Sequence, residues 1–98
     1  MEKRIGVIAI LVKGKDQIPE LNRILSDYSD IIYGRQGLPF KEKRIHVISL
    51  VVEGSTDLIG ALTGRIGRLK EIQVKSVLTN FKENDDEHQK PADENPEN

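Results

Sequence analysis

The stretch Arg44–Val52, RIHVISLVV, limits the fold more than any other because it is apolar on both sides. Alternate side chains of a strand point in opposite directions, so Ile45, Val47, Ser49 and Val51 share one face and His46, Ile48, Leu50 and Val52 the other. Such a strand belongs inside a sheet with cover on two sides. Arg4–Val12 has the same character, with Ile5, Val7, Ala9 and Leu11 set against Gly6, Ile8, Ile10 and Val12. Two strands of this kind are expected to be neighbours at the sheet centre. The basic start and apolar run superficially resemble a secretory signal. However, Lys13 and Lys15 stand where a cleavage site needs small residues, and the run is far shorter than the ~20 residues that span a bilayer.

The remaining segments read as cover for these strands. Lys13-Gly14-Lys15 is a turn, Asp16 a candidate N-cap and Pro19 a first-turn residue. Ile18, Leu21, Ile24, Leu25 and Tyr28 recur at spacings of three and four, the stripe of an amphipathic helix ending near Ser29. Asp30–Arg35 reads as a short second strand, and Gln36–Lys43 as a wide loop punctuated by Gly37 and Pro39. Ser55 or Thr56 caps a second helix, whose core stripe is expected to be Leu58, Leu62, Ile66 and Leu69 with Ile59. Gly60, Gly64 and Gly67 fall on its opposite side, with Gly67 a candidate C-cap. Ile72–Thr79 alternates cleanly, as an edge strand does, with Ile72, Val74, Ser76 and Leu78 facing inward.

Strand, helix, strand, strand, helix, strand is the order of an α+β ferredoxin-like βαββαβ sandwich. Right-handed crossovers give a four-stranded antiparallel sheet of order 4-1-3-2 with both helices on one face. The two strands that this places centrally are the two that are apolar on both sides. The 98 residues, 37% of them apolar, suffice for one domain, expected over 1–80. Residues 81–98 are expected to be a disordered acidic tail, since they carry two Lys+Arg against seven Asp+Glu and almost nothing apolar. Helices on one face leave the other face bare and apolar. A homo-oligomer, dimer or tetramer, is therefore expected, with Ile8, Ile10, His46, Ile48 and Leu50 at its interface.

The residue types point away from catalysis. Without cysteine there is no disulfide, thiolate nucleophile or iron–sulfur ligation, which fits a cytoplasmic protein. His46 is the one histidine before the tail, and a metal site needs two or three further donors, so no metal and no cofactor are expected. The acidic residues form no recognisable acid pair, and Ser49, Ser55 and His46 suggest no triad. The chain is read as a non-enzyme. Arg35, Lys41, Lys43, Arg44, Arg65, Arg68 and Lys70 are read as solvated surface, because the basic excess is small and exposed aromatics are few. TGRIGR follows helical residues, whereas a phosphate loop precedes its helix.

Ser29-Asp30-Ile31-Ile32 with Gly34-Arg35 and Gly37-x-Pro39, then ISLVVEG, ALTGRIGR and VKSVL, resembles the iron-only hydrogenase system regulators over about residues 3 to 79. The resemblance implies a ferredoxin-like fold close to ACT domains and to the C-terminal effector domain of the nickel-responsive repressor. It implies a regulatory module of an iron-only hydrogenase system, acting as a homo-oligomer that binds a small effector. That repressor's metal set of several histidines and a cysteine has no counterpart here, and no DNA-reading element precedes Lys3, so direct nucleic-acid binding is not expected. No membrane association is expected either. Arg35, Gly37 and Pro39 in the loop and Thr63, Gly64 and Gly67 on the second helix are hard to assign to a core and stand as candidate ligand-binding residues, with Arg35 the donor to an anion. An alternative function is a ligand-free interaction subunit that docks on a maturation or regulatory partner.

Overall fold

Strands β1 (Arg4–Lys13) and β3 (Ile45–Gly54) lie antiparallel in an unbroken register from Arg4 opposite Gly54 to Lys13 opposite Ile45. The computed structural model describes residues 2–82. Around this pair, β2 (Ile32–Phe40) adds to β3 and β4 (Ile72–Lys82) to β1, giving the order β2-β3-β1-β4. The chain therefore has the expected α+β βαββαβ architecture, read from the other edge as 4-1-3-2. β4 extends to Lys82, through the first two residues assigned to the acidic tail, and 83–98 lie outside the described residues.

Helices α1 (Ile18–Asp27) and α2 (Thr56–Gly67) complete the fold. Ser55 is the α2 cap, its Oγ accepting the Leu58 N–H at 3.1 Å. Asp16 does not cap α1: Gln17 occupies that position without a side-chain bond, and the turn is held by the Ile18 N–H donating to the Lys15 carbonyl. Gly14, at φ +82°, supplies the left-handed conformation that turns the chain out of β1.

One core joins the helices to one sheet face. Ile8, Ile10 and Val12 of β1 and Ile48, Leu50 and Val52 of β3 pack with Leu21, Ile24 and Leu25 of α1 and Ile59, Leu62 and Ile66 of α2. The α2 stripe is thus rotated from the expected one: Ile59 is buried while Leu58 is 45% exposed. Gly67 is the last helical residue and Arg68 the C-cap, because the helix end lies tight against β4, with a Cβ on Gly67 meeting Val74 Cγ1 at 3.3 Å.

The second strand differs most from expectation. It begins after a 3-10 turn over Ser29–Ile31 and runs through the residues read as a loop, to Phe40. An edge strand needs ladder bonds on one side only, so it accommodates Gly34, Gly37 and Pro39, with a bulge between Ile32 and Gly34. A second 3-10 turn, Lys41–Lys43, and Arg44 in the left-handed region at φ 58° lead into β3.

Candidate functional site

Two surfaces stand out, one on each side of the sheet. On the helix side, α1 leaves part of β2 uncovered. Antiparallel pairing places Arg35, Gly37 and Pro39 beside Leu50, Ile48 and His46, so all three β2 residues look toward the helices yet stay exposed. Between them and the first turns of α1 runs a groove of about 560 Å³. Gly37, His46 and Ile48 line it from the sheet, Ile18, Pro19 and Asn22 from α1, and Lys15, Arg35 and Pro39 complete it. Arg35 Nη2 donates to Asn22 Oδ1 at 3.4 Å, tying the edge strand to the helix. A second groove of about 460 Å³, where Phe40, Lys41, Arg44 and Ile45 meet Gly14, adjoins the first and shares Lys15, Pro39 and His46 with it.

The structure brings Arg35, Gly37 and Pro39 together but leaves Thr63, Gly64 and Gly67 elsewhere. Thr63 Oγ1 donates to the Ile59 carbonyl within α2, a Cβ on Gly64 would meet nothing within 4 Å, and Gly67 serves the approach to β4. Neither cavity lined by Arg35 includes any of the three. Lys41 and Arg44, expected as solvated surface, line the grooves, and Lys15 and Asn22 join them. Arg44 is two residues from His46 in sequence, whereas Lys15, Asn22 and Lys41 reach it through the β1–α1 turn and the pairing of Pro39 with His46. Among the described residues no three His, Cys, Asp or Glu side chains converge to hold a metal ion.

No helix among the described residues lies over the other sheet face. The expected interface residues Ile8, Ile10, Ile48 and Leu50 are not on it; they are at most 6% exposed beneath the helices, and His46 lies on the same side beside the groove. This corrects the face assignment. The open face instead carries Ile5, Val7, Ala9 and Leu11 of β1, Ile45, Val47, Ser49 and Val51 of β3, and Leu38 and Phe40 of β2. The pairings order it into rows across the strands. Leu38, Val47 and Leu11 form one apolar row, Val51, Val7 and Val77 another, and between them run Gln36, Ser49, Ala9 and Lys75. The small side chains of the middle row leave a trough, part of which is a shallow cavity of about 240 Å³ beside Ala9. Leu38, Phe40, Val51, Val7 and Val77 are each between 42% and 66% exposed.

A four-stranded antiparallel sheet of order β2-β3-β1-β4 with two helices on one face defines a small domain of the ferredoxin-like class. The profile of the family described as "TM1266-like: Iron-only hydrogenase system regulator, putative" matches residues 4–76, and the chain belongs to that family. Among solved structures it is similar to the uncharacterized protein TM1266 from Thermotoga maritima, with 32% identity over 78% of this chain and 96% of that one and a TM-score of 0.75. A formyltetrahydrofolate deformylase from Pseudomonas putida KT2440 is 8% identical over 79% of this chain and 29% of its own, with a TM-score of 0.58. An unknown protein from Galdieria sulphuraria is 10% identical over 81% of this chain and 46% of its own, at 0.56. These last two share the fold alone. No curated protein matches the chain.

Proposed function

We propose that the chain is a non-catalytic regulatory module of an iron-only hydrogenase system, that it works as a homo-oligomer joined through the open sheet face, and that a small effector bound in the Arg35–Gly37–Pro39 groove shifts the populations of its assembled states. The observation that carries this is the uncovered apolar face. Four strands about 4.8 Å apart and about 30 Å long present roughly 550 Å² in plan, and more once corrugated. That approaches the ~800 Å² that one partner contributes to a standard stable interface. Gln36, Gln73 and Lys75 make its two edges partly polar, and the aliphatic patch that β1 and β3 present between them is of the kind normally covered in solution. A second copy offers complementary relief, because an apolar row of one sheet fits the trough along Ser49 and Ala9 of the other. Family membership supports the regulatory role.

A ligand that prefers one arrangement of the oligomer shifts its population by its differential affinity, and no reaction is required. No helix among the described residues is long and apolar enough to cross a membrane. The test is a thermal-shift screen with amino acids, nucleotides and divalent metals, paired with sedimentation at each hit. The expected outcome is a ligand that raises Tm and alters the sedimentation coefficient. A stable monomer at micromolar concentration that responds to no ligand class contradicts it.

A further inference from the structure

We infer that the two adjoining grooves beside His46 form one site for a small organic anion, a carboxylate or phosphate monoester carried on an apolar body. This deepens the effector reading above and rests on it. The grooves share Lys15, Pro39 and His46, so they adjoin at the end of the β2–β3 pair. Each lies within the ~300–1,000 Å³ range of small-molecule sites.

Their charge is one-sided. Lys15, Arg35, Lys41 and Arg44 line them, and no carboxylate does. The acids closest to them stand at the rim of the second groove: Glu42 lines an adjoining pocket that shares Pro39, Phe40 and Lys41 with it, and Glu71 Oε1 lies 3.4 Å from where a Cβ on Gly14 would stand. The ion pairs among the described residues, Arg23 with Glu20 and Arg65 with Asp27, involve none of these four cations. Among the described residues the Arg35 side chain donates only the 3.4 Å bond to Asn22. Four cations on the two arms of one groove, none of them in an ion pair among the described residues, are matched by an anionic group. A guanidinium and ammonium groups recognise carboxylate and phosphate oxygens alike.

The lining between the cations is apolar: Ile18, Pro19 and Ile48 in one arm, Phe40 and Ile45 in the other. A bare inorganic anion leaves this surface uncovered, and a neutral apolar molecule leaves the cations unmatched. Gly37 keeps the first arm open. A Cβ there would sit 3.8 Å from Ile48 Cγ1, an ordinary contact, so a larger side chain fills the groove without forcing the sheet apart.

The experiment is an amide NMR titration of the full chain with phenyl phosphate and phenylacetate, with inorganic phosphate and benzyl alcohol as controls. Either aromatic anion is expected to shift the Lys15, Gly37 and His46 amides at concentrations about tenfold below either control, and Gly37→Val and Arg35→Ala are each expected to weaken binding about tenfold. Phosphate or benzyl alcohol binding as tightly as the aromatic anions, shifts that map away from these amides, or wild-type binding by Gly37→Val overturns the inference. Sedimentation of the same samples reads assembly separately. An intact oligomer that binds no probe removes this site and leaves the assembly reading standing, whereas a monomer that binds at these amides does the reverse.

Discussion

Gly6 passes so close beneath Leu78 that a Cβ added to it would stand 2.7 Å from Leu78 Cδ2 and 2.8 Å from the Val77 carbonyl oxygen. The leucine can rotate away, but the carbonyl belongs to the backbone of the neighbouring strand. Gly6→Ala therefore has to push β4 from β1 next to the irregularity in their pairing between Arg4 and Gly6. A loss of about 1–3 kcal/mol is expected, as for other overpacked sites, read by urea denaturation.

The helical glycines behave oppositely. Cβ atoms on Gly60 and Gly64 meet nothing within 4 Å. Replacing either with alanine is expected to stabilise the fold by up to about 1 kcal/mol through helix propensity. Gly60→Ala and Gly64→Ala variants that gain stability and keep wild-type assembly place that side of α2 in solvent. Loss of assembly on either change puts it at an interface.

The two sides of β3 are separable by mutation. Leu50 is fully buried between the sheet and the helices, whereas its neighbour Val51 is 46% exposed on the open face. Leu50→Ala is expected to cost about 2–5 kcal/mol. Val51→Ala is expected to spare protomer folding and weaken self-association, checked by denaturation beside a dilution series in the ultracentrifuge.

Arg65 joins the two helices at the surface, its Cζ 5.5 Å from the Tyr28 ring centroid and its Nη1 donating to Asp27 Oδ2 at 3.2 Å. Tyr28 first, and then Asp27, hold its pKa above the ordinary arginine value, so it stays charged at every working pH. Arg65→Met is expected to lower Tm slightly, and the difference from wild type to shrink with added salt, since exposed pairs are screened.

Much of the architecture was legible from two-sided apolarity alone. Ile8 and Val7, or Leu50 and Val51, put apolar side chains on both faces of their strands, and β1 and β3 are indeed the central pair. The same feature hid which side the helices cover, because both faces read as apolar. The available cue was size: Ala9 and Ser49 interrupt the open face, while Ile8, Ile10, Ile48 and Leu50 carry the bulk a core needs. Gly37 and Pro39 are turn signals in the local sequence, but an edge strand tolerates both. Arg35, Gly37 and Pro39 are grouped by the Gly34-Arg35 and Gly37-x-Pro39 motif that carries the family resemblance. Lys15, Asn22 and His46 reach the same groove only through pairing and packing, which local spacing does not encode.

Sedimentation velocity on the wild type beside a Val7→Lys, Val51→Lys double variant tests the central claim most directly. Both positions lie on the open face and are already partly exposed in a single copy, so the variant is expected to keep its fold by circular dichroism. The account predicts a dimer or larger species for the wild type at low micromolar concentration and a folded monomer for the variant. A monomeric wild type, or a variant that assembles as well as the parent, would contradict it.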